Sequence, residues 1–391
     1  MNDERRVVLK PGREKPLLQK HPWIFSGAIN SFPTFENGEV LPVHASSGEF
    51  LAKAYFHREN SISGRVLTFS NESTRYLIDQ KLSHAIALRE KMFDRESTNC
   101  YRLINAEGDG IPGLIIDIYD DLAVLQANTC GIEKLKALIV ETLLKKMKLR
   151  GIYEKSQSGA RREEGLSDAV GTLYGECPKE ILVKENGLMF LVGIEEGQKT
   201  GFFLDQREMR QLIQNLSKNK RVLNGFSYTG GFSLFALKGG AESVTSIDSS
   251  AEACRYAMEN TLLNHLSLSQ HKVIRSDVFD YLSQNQNPFD IVILDPPAFA
   301  KKRQEVNDAC RGYKEINRRA FEMMPPDSYL LTCSCSHFID ENLFQQLIFQ
   351  SAIEAKREVV ICSRHIQAMD HPISLFHPEG GYLKSLLLHV T

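Results

Sequence analysis

"RVLNGFSYTGGFSLFALKGGAESVTSIDSS", residues 221–250, is the stretch that decides the fold. An apolar run typical of a buried strand is followed by a Gly-Gly turn, an apolar run of helical length and a second strand that closes at Asp248. The alternation continues through "KVIRSDV", "FDIVILDPP" and "YLLTCSCS", with helical stretches between them. Strands that alternate with helices predict βαβ units. We therefore predict an α/β fold whose doubly wound, mostly parallel sheet carries helices on both faces.

Asp248, Asp277 and Asp295 fall at the carboxyl ends of the second, third and fourth predicted strands. In sheets of this kind ligands bind outside those ends, and an acidic residue after the second strand accepts hydrogen bonds from ribose hydroxyls. Asp277 is placed to meet an adenine edge, and the Asp-Pro-Pro turn holds Asp295 rigidly at the mouth of the sheet. Each aspartate alone would also fit a helix N-cap. No GxGxxG fingerprint is present, which argues against a nicotinamide-dependent oxidoreductase.

"LLTCSCSH", residues 330–337, places two cysteines one residue apart at the end of the fifth predicted strand. Neighbours at this spacing in extended chain point to opposite faces, so a disulfide between them is excluded. Zinc ligands lie further apart and come with a second pair, so we predict no metal site. Cys335 is expected at the strand tip, near Asp295. Cys333, inside the strand, is expected to be a core residue.

The composition is that of an ordinary globular protein, with 42% hydrophobic and 25% charged residues in a chain of 391. The net charge of -2 means that any nucleic-acid surface must be a local patch. Eight scattered cysteines without a CxxC pair indicate a reducing compartment. The polar N-terminus is no secretory signal, and no run approaches the roughly 20 apolar residues of a membrane span. These features predict a cytoplasmic protein without membrane contact.

Two further domains are predicted ahead of the α/β domain, which we place at 188–391 with a leading hairpin. Residues 1–72 alternate apolar and polar residues between glycines, which predicts a small β-rich unit. Residues 73–187 predict a mixed α/β middle domain with hairpins turning at Asp120-Asp121 and Asn186-Gly187. Its one polar stretch, "SGARREEGLSDAVG", is expected to be a loop.

The start of the chain combines basic residues with the single tryptophan, in a pattern that suits phosphate contact and base stacking. A solvated basic edge with Trp23 in a small core is the alternative. The candidate RNA contacts are Lys10, Arg13, Lys20 and Trp23, together with Lys301 and Lys302 after the Asp-Pro-Pro turn.

Several motifs together resemble one family: "LNGFSYTGGFS", "SIDSS", "SDVFDYL", "LDPPAFAKK", "GYKEINRRA" and "LLTCSCSH". They are similar to those of class I S-adenosylmethionine (SAM)-dependent RNA methyltransferases of the RlmI type, which modify cytosine at carbon 5 in 23S ribosomal RNA. The resemblance spans the chain. "LKPGREKPLLQKHPWIFSGAI" resembles the family's N-terminal PUA RNA-binding domain, "GQKTGFFLDQR" its hallmark segment, and "DHPISLFHPEGGYLKSLLL" its C-terminal signature.

The resemblance implies a Rossmann-like methyltransferase domain that binds SAM. The implied cofactor contacts are Phe226, Ser227, Tyr228, Thr229, Gly230 and Gly231 around the methionine part, Asp248 and Ser249 at the ribose, Asp277 at the adenine, and Asp295 beside the methyl donor. Lys199, Thr200 and Arg207 are expected to flank the site.

The resemblance also implies covalent catalysis, because carbon 5 of cytosine is a poor nucleophile until a thiolate adds to carbon 6. Related enzymes carry this thiol in a TCS sequence with an acidic-Asn pair seven residues on, a spacing that Cys335 shares with Asn342. Asp295 is then expected to hydrogen-bond the base at N3 or N4. Many relatives have a second cysteine after the proline that follows the fourth strand. This chain has none there, so the base for the elimination step is unassigned.

Two other functions are compatible with parts of the pattern. Asp-Pro-Pro before an aromatic residue is typical of amino-group methylation, so a base-nitrogen RNA methyltransferase, for example at guanine N7, is one alternative. A non-catalytic RNA-binding assembly factor is the other. A homodimer is left open.

Overall fold

The computed structural model describes residues 5–195, 197, 200–285 and 287–391. The chain divides into two compact units. The first contains Met1–Lys184, Val192–Leu204 and Met369–Gly380, and the second contains Glu185–Leu191, Asp205–Ala368 and Gly381–Thr391. Among the described residues, no helix combines the length and apolarity that crossing a membrane requires.

The first unit begins with a six-stranded sheet, which we call the β module. Its elements are β1 (Val7–Leu9), α1 (Lys15–Leu18), β2 (Trp23–Phe25), β3 (Ile29–Ser31), β4 (Val40–His44), β5 (Phe50–Phe56) and β6 (Ile62–Thr68). The strand order is β2-β6-β5-β4-β1-β3, around a core of aliphatic, alanine and phenylalanine side chains. The prediction of a small β-rich unit is confirmed.

The same unit continues with a five-stranded sheet in the order β11-β10-β9-β8-β7. Its elements are α2 (Thr74–Met92), β7 (Cys100–Asn105), β8 (Leu114–Tyr119), β9 (Leu122–Ala127), α3 (Cys130–Lys146), β10 (Gly151–Ser156), α4 (Gly159–Glu163) and β11 (Ala169–Gly175). The hairpin predicted at Asp120-Asp121 is confirmed, since β8 and β9 pair up to Tyr119 and Leu122. Asp120 has the positive φ (56°) that such a tight turn requires.

The expectation that "SGARREEGLSDAVG" is a loop is wrong in part. Ser158 caps the short helix α4 by accepting a hydrogen bond from Arg161 N, and β11 begins before the stretch ends. Arg161 and Glu164 are both buried. Arg161 donates to Glu133, and Glu164 pairs with Arg65 of the β module. Buried ion pairs of this kind cannot be read from a polar sequence, because their partners are remote in the chain.

Strands β12 (Glu180–Glu185) and β13 (Leu188–Gly193) form a two-stranded sheet. They turn at Asn186 and Gly187, whose φ angles are 48° and 76°. Two consecutive positive φ angles are what a two-residue type I′ turn needs, so the Asn-Gly prediction is confirmed.

The second unit contains the doubly wound sheet, in the order β16-β15-β14-β17-β18-β20-β19. Its elements are α5 (Arg207–Leu216), β14 (Arg221–Gly225), α6 (Gly231–Lys238), β15 (Ser243–Asp248), α7 (Ala251–Leu263), β16 (His271–Arg275), α8 (Val278–Gln284), β17 (Ile291–Leu294), α9 (Val306–Met323), β18 (Ser328–Ser334), α10 (Glu341–Glu354), β19 (Val359–His365) and β20 (Lys384–Val390). The first five strands are parallel, as predicted. The order reverses at β14, where β15 lies on one side and β17 on the other, and this reversal creates a crevice at the strand ends.

Helices cover both faces of this sheet, because side chains alternate sides along each strand. Leu223 faces a core shared with α8, α9 and α10, whereas its neighbour Val222 faces a core shared with α5 and α6. Strands β20 and β19 extend the sheet antiparallel to β18. This C-terminal extension pairs Lys384 with Ser334, at the end of β18 where Cys335 follows.

Candidate functional site

The loop after β14 is held in an unusual backbone conformation. Phe226, Tyr228 and Gly230 have φ angles of 60°, 47° and 82°. For residues other than glycine such angles cost on the order of 1–3 kcal/mol each, and they persist only where the surrounding structure imposes them. Ser227 N donates to Ile247 O at 2.9 Å, which ties the loop to the end of β15. Strain of this kind concentrates at ligand-binding loops.

Asp248 ends β15 and fixes the same loop. One of its carboxylate oxygens accepts a hydrogen bond from Tyr228 N at 2.8 Å, and the other accepts one from Ser250 N at 2.9 Å. A carboxylate offers about four lone-pair positions, so both oxygens can still accept bonds from the hydroxyls of a ribose. Asp248 therefore shapes the loop and retains capacity for a ligand.

The loop also fits a ligand with a charged amino-acid part. The Ser227 hydroxyl is buried and has no hydrogen-bond partner among the described residues. Gly230 precedes α6 without a side-chain cap, which leaves the N–H groups of the first turn for an anionic group. A Cβ on Gly225 would lie only 3.2 Å from Leu294 and Val278 side-chain carbons, so the floor of the crevice is tightly packed. This donor set suits the methionine part of SAM.

Asp277, Ser249, Thr229 and Gly231 follow strands β14 to β16, whereas Asp295 follows β17 on the other side of β14. Asp277 is the N-cap of α8, where its Oδ1 accepts hydrogen bonds from Phe279 N and Asp280 N. The N-cap alternative thus accounts for one oxygen of Asp277, and its contact with adenine stays a prediction. Ser249 is exposed, with its carbonyl held by Arg275. Thr229 and Gly231 are buried.

Cys335 lies directly after β18, and Leu294, which ends β17 before Asp295, pairs with Thr332 near the end of β18. The Cys335 thiol is 3.8 Å from Pro296 O of the Asp-Pro-Pro turn, and the residue is partly accessible. Cys333, by contrast, is 0% exposed within the sheet core. Burial raises the pKa of the Cys333 thiol well above its usual range, with the nearby Asp295 adding to the shift. Of the two thiols, the one at the strand tip is accessible.

The Tyr313 hydroxyl of α9 forms hydrogen bonds with the residues on both sides of Cys335. This hydroxyl lies 3.0 Å from the Ser334 hydroxyl and 3.0 Å from the Ser336 hydroxyl. Phe299, from the turn after β17, packs with its ring centroid 4.7 Å from that of Tyr313. Burial raises the pKa of Tyr313 to about 12, so the hydroxyl remains a neutral hydrogen-bonding group. The strand tip is thus rigidly anchored around Cys335.

The three residues expected to flank the site have different surroundings. Arg207 is buried in the second unit, 3.4 Å from Glu185, which also forms a bidentate pair with Arg210. Thr200 is buried in the first unit, where its hydroxyl donates to Asp117 at 2.6 Å. Lys199 lies outside the described residues. A role for these three residues in the site stays a prediction.

The predicted RNA contacts of the β module are exposed, except for the tryptophan. Lys10 donates to Gly27 O, Lys20 stands over the Phe69 ring, and Arg13 is exposed. Trp23 is partly buried: its ring lies 4.3 Å from that of His377, and its indole N–H donates to Glu107. The accessible aromatic ring beside it belongs to Phe25, which is 50% exposed. Lys301 and Lys302 are exposed in the second unit.

Among the residues that the structure describes, two groups of side chains bring potential metal ligands within 4.8 Å of one another: His21, His377 and Glu379, and His57, Cys130 and Glu164. In the first group His21 Nδ1 accepts a hydrogen bond from Trp23 N, and His21 Nε2 lies 3.6 Å from Glu379. In the second, Glu164 is paired with Arg65. The absence of a metal stays a prediction.

The comparisons with known proteins agree with this geometry. Residues 160–364 match the family model of S-adenosylmethionine-dependent methyltransferases, and residues 7–69 match a PUA-like domain. The structure resembles a putative SAM-dependent methyltransferase from Streptococcus mutans, with a TM-score of 0.83, 25% identity and coverage of 98% of this chain and 99% of that one. It also resembles SMU.776, a putative methyltransferase complexed with SAH, with a TM-score of 0.85, 25% identity and the same coverage. The fold and the strand-end site thus define a SAM-dependent methyltransferase that carries a PUA-like domain.

Proteins of similar sequence identify the family within the SAM-dependent methyltransferases. The chain is 43% identical to the ribosomal RNA large subunit methyltransferase I of Aliivibrio fischeri (strain ATCC 700601 / ES114), over 98% of this chain and 99% of that protein. It is 41% identical to the protein of the same name from Aeromonas salmonicida (strain A449), over 98% of each. The chain belongs to the ribosomal RNA large subunit methyltransferase I family, as the sequence motifs had suggested.

Several residues at the site were not singled out from sequence. Tyr313 lies in the motif "GYKEINRRA", and Lys384 lies in the C-terminal segment "DHPISLFHPEGGYLKSLLL". A lysine at the start of the apolar run "LKSLLLHV" is a signal that could have pointed to Lys384, since charged residues are rare in buried strands.

Proposed function

We propose that this protein methylates carbon 5 of a cytosine in 23S ribosomal RNA, with SAM as the methyl donor and Cys335 as a covalent nucleophile. The observation that carries the proposal is the accessible thiol of Cys335 at the tip of β18, 3.8 Å from Pro296 O of the turn that presents Asp295. Amino-group methylation needs no thiol at this place. The RNA substrate is supported by the names of the relatives and by the PUA-like match at residues 7–69.

In the proposed mechanism the Cys335 thiolate adds to carbon 6 of the cytosine, and the electron pair released into the ring makes carbon 5 nucleophilic. SAM supplies an electrophilic methyl group for that carbon. Asp295 accepts or donates a hydrogen bond at N3 or N4 of the base, which favours the protonated ring that receives the thiolate. Loss of the carbon 5 proton to a base and expulsion of the thiolate then restore the aromatic ring.

The supporting residues have distinct tasks. The strained loop 226–230 and Asp248 hold the amino-acid and ribose parts of SAM, and Asp277 contacts the adenine. Tyr313, Ser334 and Ser336 keep Cys335 in place. We place the domains at 1–72, 73–187 and 188–391, with the first binding RNA through Lys10, Arg13 and Lys20. Because the proposed substrate is ribosomal RNA, we also propose that the protein acts in the cytoplasm.

The test is to identify the product. Purified protein is incubated with labelled SAM and 23S rRNA from a strain that lacks the gene, and the RNA is digested to nucleosides. We expect labelled 5-methylcytidine, and we expect Cys335→Ala to abolish it while SAM binding remains. Label in a base methylated at nitrogen would refute the carbon 5 proposal and support the amino-group alternative.

A further inference from the structure

Lys384 begins β20 and lies at the base of the loop that carries Cys335. It pairs in antiparallel register with Ser334, the residue before the cysteine. Its ammonium donates to Ser336 O, the residue after the cysteine, at 2.7 Å, and to Tyr382 O at 2.8 Å. A lysine ammonium has three N–H groups, so one remains for a further acceptor. The lysine is therefore tied to both neighbours of the thiol.

We propose that Lys384 is a positioning residue for the nucleophile: it anchors the Cys335 loop through Ser336 and its positive charge favours the thiolate. This inference rests on the proposed role of Cys335. A fixed cation beside a cysteine raises the fraction of thiolate, which is the reactive form. The thiol proton passes to solvent, Lys384 stays protonated, and the sulfur electron pair then forms the bond to carbon 6.

The surroundings of Lys384 support the charge effect. Burial lowers its pKa, and the neighbouring Cys335 and Asp340 oppose that shift because negative charge on either favours the ammonium. The electrostatic interaction between two groups acts equally on both. The Lys384 ammonium therefore favours the Cys335 thiolate as much as the thiolate favours the ammonium.

The other titratable groups around the thiol act differently. Tyr313 stays neutral, and the carboxylates of Asp295 and Asp340 work against a second negative charge. The thiol of Cys333 is neutral in the core. The positive charge of Lys384 therefore offsets the negative charge of Asp295, which disfavours the Cys335 thiolate but is needed to hydrogen-bond the cytosine.

The test separates the charge of Lys384 from its hydrogen bonds. Lys384→Gln is neutral and keeps an N–H donor on a side chain one atom shorter, whereas Lys384→Arg keeps both the charge and N–H donors. Lys272→Gln removes one exposed lysine from β16 and serves as the matched control. Alkylation of Cys335 by iodoacetamide is followed from pH 6 to 10 by tandem mass spectrometry, which locates the modification on Cys335 and not on Cys333 of the same peptide.

We expect the inflection of the alkylation profile to move up by about one pH unit in Lys384→Gln, which is roughly a tenfold loss of thiolate at neutral pH. Methylation should fall at pH 7 and recover toward pH 9, where the thiol ionises unaided. Lys384→Arg and Lys272→Gln should keep the wild-type inflection, and SAM affinity should not change in any variant.

An unchanged inflection in Lys384→Gln, or lost activity that does not recover at high pH, would overturn the inference and leave Lys384 a structural tether. Cys335→Ala is measured in parallel for methylation. If that variant retains activity, the proposed function itself fails, whatever the alkylation profile of Lys384→Gln shows.

Discussion

Removing the Asp248 carboxylate should weaken SAM binding without unfolding the methyltransferase sheet. The carboxylate now accepts hydrogen bonds from Tyr228 N and Ser250 N, and we propose that it also accepts them from the ribose hydroxyls of SAM. In Asp248→Ala all of these acceptors disappear. In Asp248→Asn one oxygen becomes an NH₂ group, which must then face a backbone N–H that is itself a donor.

Two effects determine how much the SAM affinity falls in Asp248→Ala. Loss of the ribose contacts to a charged acceptor costs about 1–3 kcal/mol, which corresponds to a roughly 5- to 150-fold increase in the Kd for SAM. Loss of the bond to Tyr228 N also releases the 226–230 loop, whose positive φ angles are unfavourable without support. The cost to the fold is about 1–2 kcal/mol, or a fall in Tm of roughly 2–8 °C. Because the second effect adds to the first, we expect the upper half of the affinity range.

The assay is isothermal titration calorimetry with SAM and with SAH, alongside thermal unfolding of the same samples. Lys272→Gln, an exposed change in the same unit, is the control. A Kd that stays at the wild-type value in Asp248→Ala would remove Asp248 from the cofactor site and with it the proposed orientation of SAM in the crevice.

Three further predictions concern other parts of the molecule. Asp277→Asn keeps an oxygen for the N-cap of α8, so we expect an unchanged Tm together with a roughly tenfold weaker SAM affinity. An unchanged SAM affinity in calorimetry would leave Asp277 with its capping role alone. Neutralising Lys10, Arg13 and Lys20 together should weaken RNA binding and flatten its salt dependence by roughly one unit of slope per lost phosphate contact, while the SAM affinity stays unchanged. Filter binding at several salt concentrations measures this slope. A wild-type slope would contradict an RNA-binding role for these residues. His271 is buried between the Ser246 and Thr261 hydroxyls, and this burial lowers its pKa from 6.5 to about 4. Between these two pH values the His271 ring is neutral in the folded protein, whereas in the unfolded chain it takes up a proton. Its contribution to stability is therefore lost as the pH falls from about 6.5 to about 4, by up to roughly 3 kcal/mol, and denaturant unfolding of a His271→Gln variant should lack that part of the pH dependence.

The doubly wound sheet could be predicted because its signals are local. Apolar strand runs, glycines and helical patterns alternate from Arg221 onward, and the type I′ turn at Asn186-Gly187 follows from the two residues themselves. The order of the strand ends then brings Asp248 and Cys335 to the same edge of the sheet by topology alone.

The remaining features depend on contacts between remote segments. The sequence of α9 does not reveal that Tyr313 bonds Ser334 and Ser336, since the partners are about twenty positions away and on another element. For the same reason Glu164, which pairs with Arg65 of the β module, was predicted as part of a polar loop. The contact between the rings of Trp23 and His377 could not be predicted either, because the two residues are more than 350 positions apart in the chain.

The role of Cys335 is tested most directly by trapping the covalent intermediate. An RNA substrate that carries 5-fluorocytosine at the target cannot lose fluorine as a cation, so elimination is blocked after addition and methyl transfer. We predict a stable RNA–protein adduct with SAM and the wild-type protein, and a crosslinked peptide that contains Cys335. Cys333→Ala, which truncates a core residue at a cost of about 1 kcal/mol, should form the same adduct. Methylation of carbon 5 without any adduct, or an adduct in the Cys335→Ala variant, would contradict the account.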